Sequence, residues 1–280
     1  MQKVYLCEYI IISFSEWLRN VMSVMKSVFR TCVIFTIVLL SVGLPFCAAS
    51  PISNIQEQTV DGDRYSPPYL WDYAYDIGFT NYELNVEIDI RLTGASPGAA
   101  LLSTWENGIE NMWSRKFDII DQTGNPGGDP YHYHVNFDVV FPTDPLVSVD
   151  QTVTVVAGTG RGDMVTWYTT TEWGSQYNGA YVAHEVGHMF SLYDEYSGGA
   201  VDPANPIIDY TSIMGSLAAS AKSRHYEPFL DWLEQMAPGR DLSIGAYDPT
   251  WVIPEPSSLL LLGLGLLITR HKKSAKSRLA

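Results

Sequence analysis

Cysteine is almost missing from this chain of 280 residues. Its three occurrences, Cys7, Cys32 and Cys47, all fall before residue 50. The rest can form no disulfide and has no thiol to serve as nucleophile, metal ligand or redox centre. Basic residues are scarce too. The whole chain has 17 Lys and Arg against 31 Asp and Glu, and between Ser50 and Ile253 the balance is 8 against 28, a net charge of -20. A surface of that sign repels phosphate backbones and anionic membrane, so nucleic-acid binding is excluded as the task of this region. It suits a soluble exported body and welcomes cations, calcium included. Internal repeats are absent, and long apolar runs occur only near the two ends.

The first run reads as a secretory signal over residues 1–49, removed by a signal peptidase. Met25, Lys26 and Arg30 form a short basic region, 31-TCVIFTIVLLSVGL-44 is apolar, and 47-CAA-49 offers small residues before a cut at Ser50. Translation from Met22 or Met25 gives such a signal its usual length. The alternative is a membrane anchor, for which the run falls short of the roughly 20 residues a span needs. Near the other end, 254-PEPSSLLLLGLGLLITRHKKSAKSR-278 has an apolar stretch from Leu259 to Ile268. A cluster of Arg270, Lys272, Lys273, Lys276 and Arg278 closes it. Physically this is a transient membrane contact held by cations on the cytoplasmic side. Pro254-Glu255-Pro256, the apolar segment and the basic tail together resemble the PEP-CTERM sorting signal of Gram-negative bacteria, over residues 254–280. That resemblance implies an exosortase-type sorting enzyme as partner and release to the envelope surface or extracellular matrix. A plain tail anchor is the other reading.

Between the ends, residues 50–80 are polar and Pro-containing at first and read as a leader or linker. A single domain is expected over 81–240, followed by a second linker over 241–253. Within it, 82-YELNVEIDIRL-92 alternates as a strand. Then 99-AALLSTWENGIENMWSRKF-117 places Leu102, Trp105, Ile109, Met112 and Trp113 at helical spacing, with Gly108 as a weak point. Strands are expected at 131-YHYHVNFDVVF-141, 151-QTVTVVAGTG-160 and 163-DMVTWYTT-170, and a last helix at 225-HYEPFLDWLEQM-236. This order predicts an α+β fold with one twisted mixed sheet and few helices.

The chemistry is concentrated in 180-AYVAHEVGHMFSLYDEY-196. On a helix beginning near Asn178 to Tyr181, His184 and His188 lie one turn apart on one face and can converge on one ion. Glu185 lies next to that face and can reach a water beside the ion without occupying it. Zn²⁺ takes imidazole and carboxylate readily, and a carboxylate at Glu185's place is a general base. Val182, Val186, Met189 and Phe190 surround the motif in helical register, and Gly187 permits close packing.

From His184 onward the run H-E-x-G-H-x-x-x-L-x-D-E-Y resembles the zinc signature of the metzincin metallopeptidases, most closely the IgA-cleaving peptidase branch. It is also similar to the metallopeptidase-like domain of the chloride-channel accessory proteins. The resemblance implies His184, His188 and Asp194 as zinc ligands and Glu185 as catalytic base. Glu195 is then a competing ligand or, with Tyr196, a supporting group behind the ligands. Met214, in 211-TSIMG-215, corresponds to the methionine turn that floors the metal without binding it. The family has a glycine where this chain has Ser191, so the turn after the helix must either adopt an awkward backbone there or shift. Where some members carry a tyrosine near the metal, this chain has Ser216; Tyr210 or Tyr226 could approach instead. The resemblance also implies a cleft above a mostly irregular lower half with a C-terminal helix. Substrate would pair along an edge strand, such as 131–137 or 151–156.

Three features stay open on sequence alone. His132 and His134 form either a second metal pair or the wet face of a surface strand. Asp121, Thr123, Asn125 and Asp129 form either a calcium loop or an ordinary polar turn. His225 reads as a cap or a surface histidine. The resulting expectation is a secreted zinc endopeptidase acting on protein or peptide substrates. The alternative is an adhesion or matrix module that keeps such a fold with little or no catalysis.

Overall fold

The computed structural model describes residues 50–123 and 130–251. Both apolar end segments, and with them the signal and sorting regions, lie outside the described residues. No helix among the described residues is long and apolar enough to cross a membrane.

The α+β expectation holds. The sheet is built around strand β3, Glu83–Gly94, whose alternation buries Leu84, Val86, Ile88 and Ile90. On the chain's N-terminal side β1, Ile55–Ser66, and β2, Tyr69–Thr80, form an antiparallel hairpin, and β2 pairs antiparallel with β3. Beyond β3 come β4, Phe117–Asp121, and β5, Tyr131–Val140. The first half of β3 pairs in parallel with β5, which then pairs antiparallel with β4. The second half, Ile90–Gly94, pairs in parallel with β6, Gln151–Gly160, and β6 carries β7, Thr166–Thr171. Last is β8, Leu242–Ala246, antiparallel to β4.

Two segments expected to be linkers therefore belong to the sheet. Residues 50–80 contribute β1 and β2. β2 sends Tyr75, Ile77 and Phe79 fully inward, whereas β1 is an edge strand with mostly exposed polar residues and so lacks an apolar signature of its own. Residues 241–253 contribute β8, five residues whose stability comes from a partner more than a hundred positions away. The expectation that 131–137 or 151–156 forms a free edge also fails. β5 lies between β3 and β4, and β6 between β3 and β7.

Among the described residues three α-helices cover the sheet: α1, Ala99–Trp113; α2, Asn178–Met189; and α3, Glu227–Met236. α1 and α2 meet at a glycine pair, where a Cβ added to Gly108 would lie 2.4 Å from the Cα of Gly179. The apparent weak point of α1 is thus the place where the helices touch. Trp113, Phe137, Phe190, Tyr226 and Phe229 form a continuous aromatic core beneath α2. Burying each such ring contributes about 1.5–3 kcal/mol. Between Asp194 and Ser223 the chain has no regular element beyond an isolated bridge from Ser212 to Ser220, as expected for an irregular lower half.

Candidate metal centre

α2 holds His184 and His188 one turn apart, and each ring is oriented by a backbone carbonyl. His184 Nδ1 lies 2.8 Å from the Ile213 carbonyl oxygen, and His188 Nδ1 lies 2.8 Å from that of Leu192. A carbonyl only accepts, so both Nδ1 atoms carry the proton, and in the neutral rings both Nε2 atoms present lone pairs. These Nε2 atoms sit 3.2 and 3.4 Å from Asp194 Oδ1. The other oxygen of Asp194 accepts the Ala200 N–H at 2.6 Å, while Oδ1 is buried without a hydrogen-bond partner. Three electron-rich atoms, all within 4.8 Å of one another, face one point. Such a set repels itself unless a cation occupies the middle, so the donors fit a metal ion.

The turn that brings Asp194 back follows the helix end. Leu192 N–H bonds to the Gly187 carbonyl at 3.0 Å and Ser191 N–H to that of His188 at 2.9 Å. Ser191 takes φ 75° to do so, a left-handed conformation at the position where the sequence raised the question. The awkward backbone is adopted and the turn is not shifted. Arg64 of β1 donates from Nε to the Ser191 carbonyl at 3.0 Å. Trp71 of β2 donates to the His188 carbonyl at 3.2 Å and sets its ring edge-on to the His188 imidazole, 5.5 Å between centroids. The hairpin misread as a leader is therefore a wall of the site.

Met214 lies beneath α2: a Cβ on Gly187 would come within 2.4 Å of its sulfur and 3.1 Å of Trp113. Its turn supplies the Ile213 carbonyl that orients His184. Glu195 fastens this turn and does not face the histidines. Its N–H bonds to the Met214 carbonyl at 2.8 Å. Its carboxylate takes both Arg224 nitrogens at 2.6 Å, His225 Nε2 at 3.2 Å and the Ser212 hydroxyl. Burial would raise this carboxyl, but those donors hold it down to about 2. Arg224 also binds Asp209 at 2.7 Å. His225 is buried in this clamp and is no surface residue, while its Nδ1 accepts the Lys222 N–H.

Above the triad opens a cavity of about 1380 Å³, lined by Glu185, Tyr196, Arg161, Asp163, Trp173 and residues of the β2 start, among others. Burial pushes the Glu185 carboxyl up to about 8, with His184 opposing and Asp194 adding to the rise. Tyr196 sets its ring 6.2 Å from that of His184, and its hydroxyl accepts from Arg161 at 3.4 Å. Burial pushes its phenol up to about 12. Tyr210 lies on the rim, 58 % exposed, whereas Tyr226 is buried in the core with its hydroxyl donating to the Trp113 carbonyl.

The other candidates resolve differently. His132 and His134 are not a wet face: their Nδ1 atoms lie 3.2 and 2.8 Å from the two oxygens of Asp118, which is fully buried. Both rings pack against Trp251, and the Asp248 N–H reaches Asp118 at 2.9 Å. Asp121 accepts from Tyr133 and Arg240 at 3.0 Å each and from the Thr123 N–H at 2.9 Å. The Thr123 hydroxyl takes the Asp241 N–H. These two members of the candidate calcium loop are thus engaged within the fold, and Asn125 and Asp129 lie outside the described residues. Arg64, Trp71, Arg161 and Arg224 were missed by the motif search. With only 8 basic residues in the body, each arginine was itself a signal.

Residues 252–273 match the PEP-CTERM protein-sorting motif. The motif marks an exported protein sorted to the envelope of a Gram-negative bacterium and implies recognition by an exosortase-type enzyme. No curated protein and no solved structure matches the chain.

Proposed function

We propose that this exported protein is a zinc-dependent endopeptidase of the metzincin type. The observation that carries the reading is the convergence of His184 Nε2, His188 Nε2 and the unpartnered Asp194 Oδ1 beside Glu185 at the base of an open cleft. Two neutral imidazoles and one carboxylate suit zinc better than calcium or magnesium, which prefer all-oxygen shells. When bound, zinc supplies a Lewis acid that polarises a scissile carbonyl and makes water more acidic.

The chain's own residues do the rest. The carbonyls of Ile213 and Leu192 fix the ring tautomers, and the Ala200 N–H fixes the carboxylate rotamer, so the donors are preorganised. Glu185 takes a proton from the attacking water on its carboxylate and returns it to the leaving amine. β1–β2 on one side and the chain from Arg161 to Trp173 on the other form walls that hold an extended peptide.

Metal analysis of the purified protein, coupled to casein or gelatin digestion beside Glu185→Gln, tests this. About one zinc per chain and activity lost in the variant support the proposal. Bound zinc with no cleavage across a broad panel favours the adhesion or matrix module. Unchanged zinc affinity in Asp194→Ala would remove the third ligand from the reading.

A further inference from the structure

The donors nearest the ligand triad differ in what they already bind. The Trp71 indole N–H is committed to the His188 carbonyl, and the Tyr181 hydroxyl donates to the Thr166 carbonyl at 3.1 Å. Tyr210, on the exposed rim, accepts the Ser197 N–H and keeps its own proton unassigned. Tyr196 is in the same state beside the triad. Its oxygen receives a hydrogen bond from the Arg161 guanidinium, so the acceptor side of the phenol is engaged while its own proton has no assigned acceptor. The ring lies against His184 on the cleft side of the ligand triad.

The residue is also held in place from both ends. Glu195, immediately before it, is tied through its backbone to Met214 and through its carboxylate to Arg224, Ser212 and His225. After it, the Tyr196 carbonyl accepts the Gly199 N–H at 3.2 Å. Arg161 comes from the opposite wall, from the turn that follows β6, and its guanidinium lies 5.8 Å over the Trp173 ring. A cation donating to a phenol oxygen makes that phenol's own O–H a stronger donor. The contact therefore joins floor to wall next to the histidines and leaves one O–H free to point into the cleft.

We infer that Tyr196 donates a hydrogen bond to the substrate carbonyl oxygen as that oxygen gains negative charge, with Arg161 as the residue that positions and polarises the phenol. This rests on the peptidase reading and gives a catalytic role to the last residue of the run that begins at His184, beyond the ligands and the base. A donor aimed at developing charge stabilises the transition state more than the bound substrate, so its loss is read in kcat and not in KM.

The test compares zinc-loaded wild type, Tyr196→Phe, Arg161→Met and Arg161→Lys. Two ligands are used: a phosphinic tripeptide, whose tetrahedral P–O⁻ imitates the reacting centre, and a thiol tripeptide with the same side chains and no such oxygen. Phe at 196 is expected to weaken the phosphinic ligand about 100-fold, leave the thiol ligand within about twofold, and keep one zinc per chain. The loss in kcat should match, with KM little changed. Arg161→Met should give a smaller loss of the same kind, and Arg161→Lys should recover part of it.

Phosphinic binding by Tyr196→Phe within about twofold of wild type overturns the inference, as does a zinc-loaded wild type that does not bind the phosphinic ligand. If wild type cleaves no peptide yet its phosphinic affinity depends on Tyr196, the peptidase reading fails and the assignment of the donor stands.

Discussion

Replacing Ser191 by glycine should make this protein more stable. Ser191 sits at φ 75°, where an L-residue costs roughly 1–2 kcal/mol relative to the right-handed region, and serine, being short, falls near the lower end. Glycine removes that cost but brings a more disordered unfolded chain, worth about 0.4–1 kcal/mol in the opposite direction. The difference is a net gain of about 0–1 kcal/mol. In a domain of this size 1 kcal/mol moves the melting midpoint by about 2–4 °C, so a rise of up to about 4 °C is expected. Urea denaturation of the metal-free protein reads this without contribution from bound zinc, and zinc titration follows. Zinc affinity should stay within about threefold, because the Leu192 carbonyl that orients His188 is already in position. Ser191→Val, β-branched and intolerant of positive φ, should lose more than about 2 kcal/mol and weaken zinc with it. A glycine variant less stable than wild type, or a valine variant of equal stability, would refute the account of this turn.

Gly187→Ala places a methyl 2.4 Å from the Met214 sulfur, so a loss of about 1–3 kcal/mol and weaker zinc binding are expected in denaturation and metal titration. Glu195→Ala leaves Arg224 and His225 without their shared carboxylate. The pair is part-buried and Arg224 keeps Asp209, so a loss of about 1–3 kcal/mol is expected, to be checked against Glu195→Gln, which retains part of the hydrogen bonding. Glu87, Asp89 and Asp150 are raised above the ordinary carboxylate range, first by burial and then by neighbouring acids such as Asp76. A raised carboxyl favours the fold when protonated, and that contribution is lost as pH rises through its folded value. The urea midpoint should therefore climb as pH falls from neutrality towards the ordinary carboxylate range. A midpoint that falls over this interval contradicts the assignment.

The sequence carried the helix with His184, Glu185 and His188, the spacing to Asp194, the turn at Met214 and the α+β class, because each is local. A helical face, a six-residue interval and a strand's alternation are all written in neighbouring letters. What it did not carry depends on partners far along the chain. β1 has the composition of a linker, and only its pairing with β2 and the bond from Arg64 to Ser191 reveal its place. β8 is five residues long and is completed by β4. His132 and His134 look like a solvated face until Asp118 is placed between them, fourteen and sixteen residues earlier. Glu195 could be read as a ligand because its spacing is nearly as good as that of Asp194. The arginine that claims it is 29 positions away.

The tie between Asp118, the two imidazoles and residues 248–251 also carries the packed body up to the edge of the sorting motif. The fold is packed up to Trp251, and the motif begins at the next residue. Residues inserted after Trp251 would be the first to separate the packed body from the matched motif, and sorting of such variants reads how far an exosortase-type enzyme depends on that spacing.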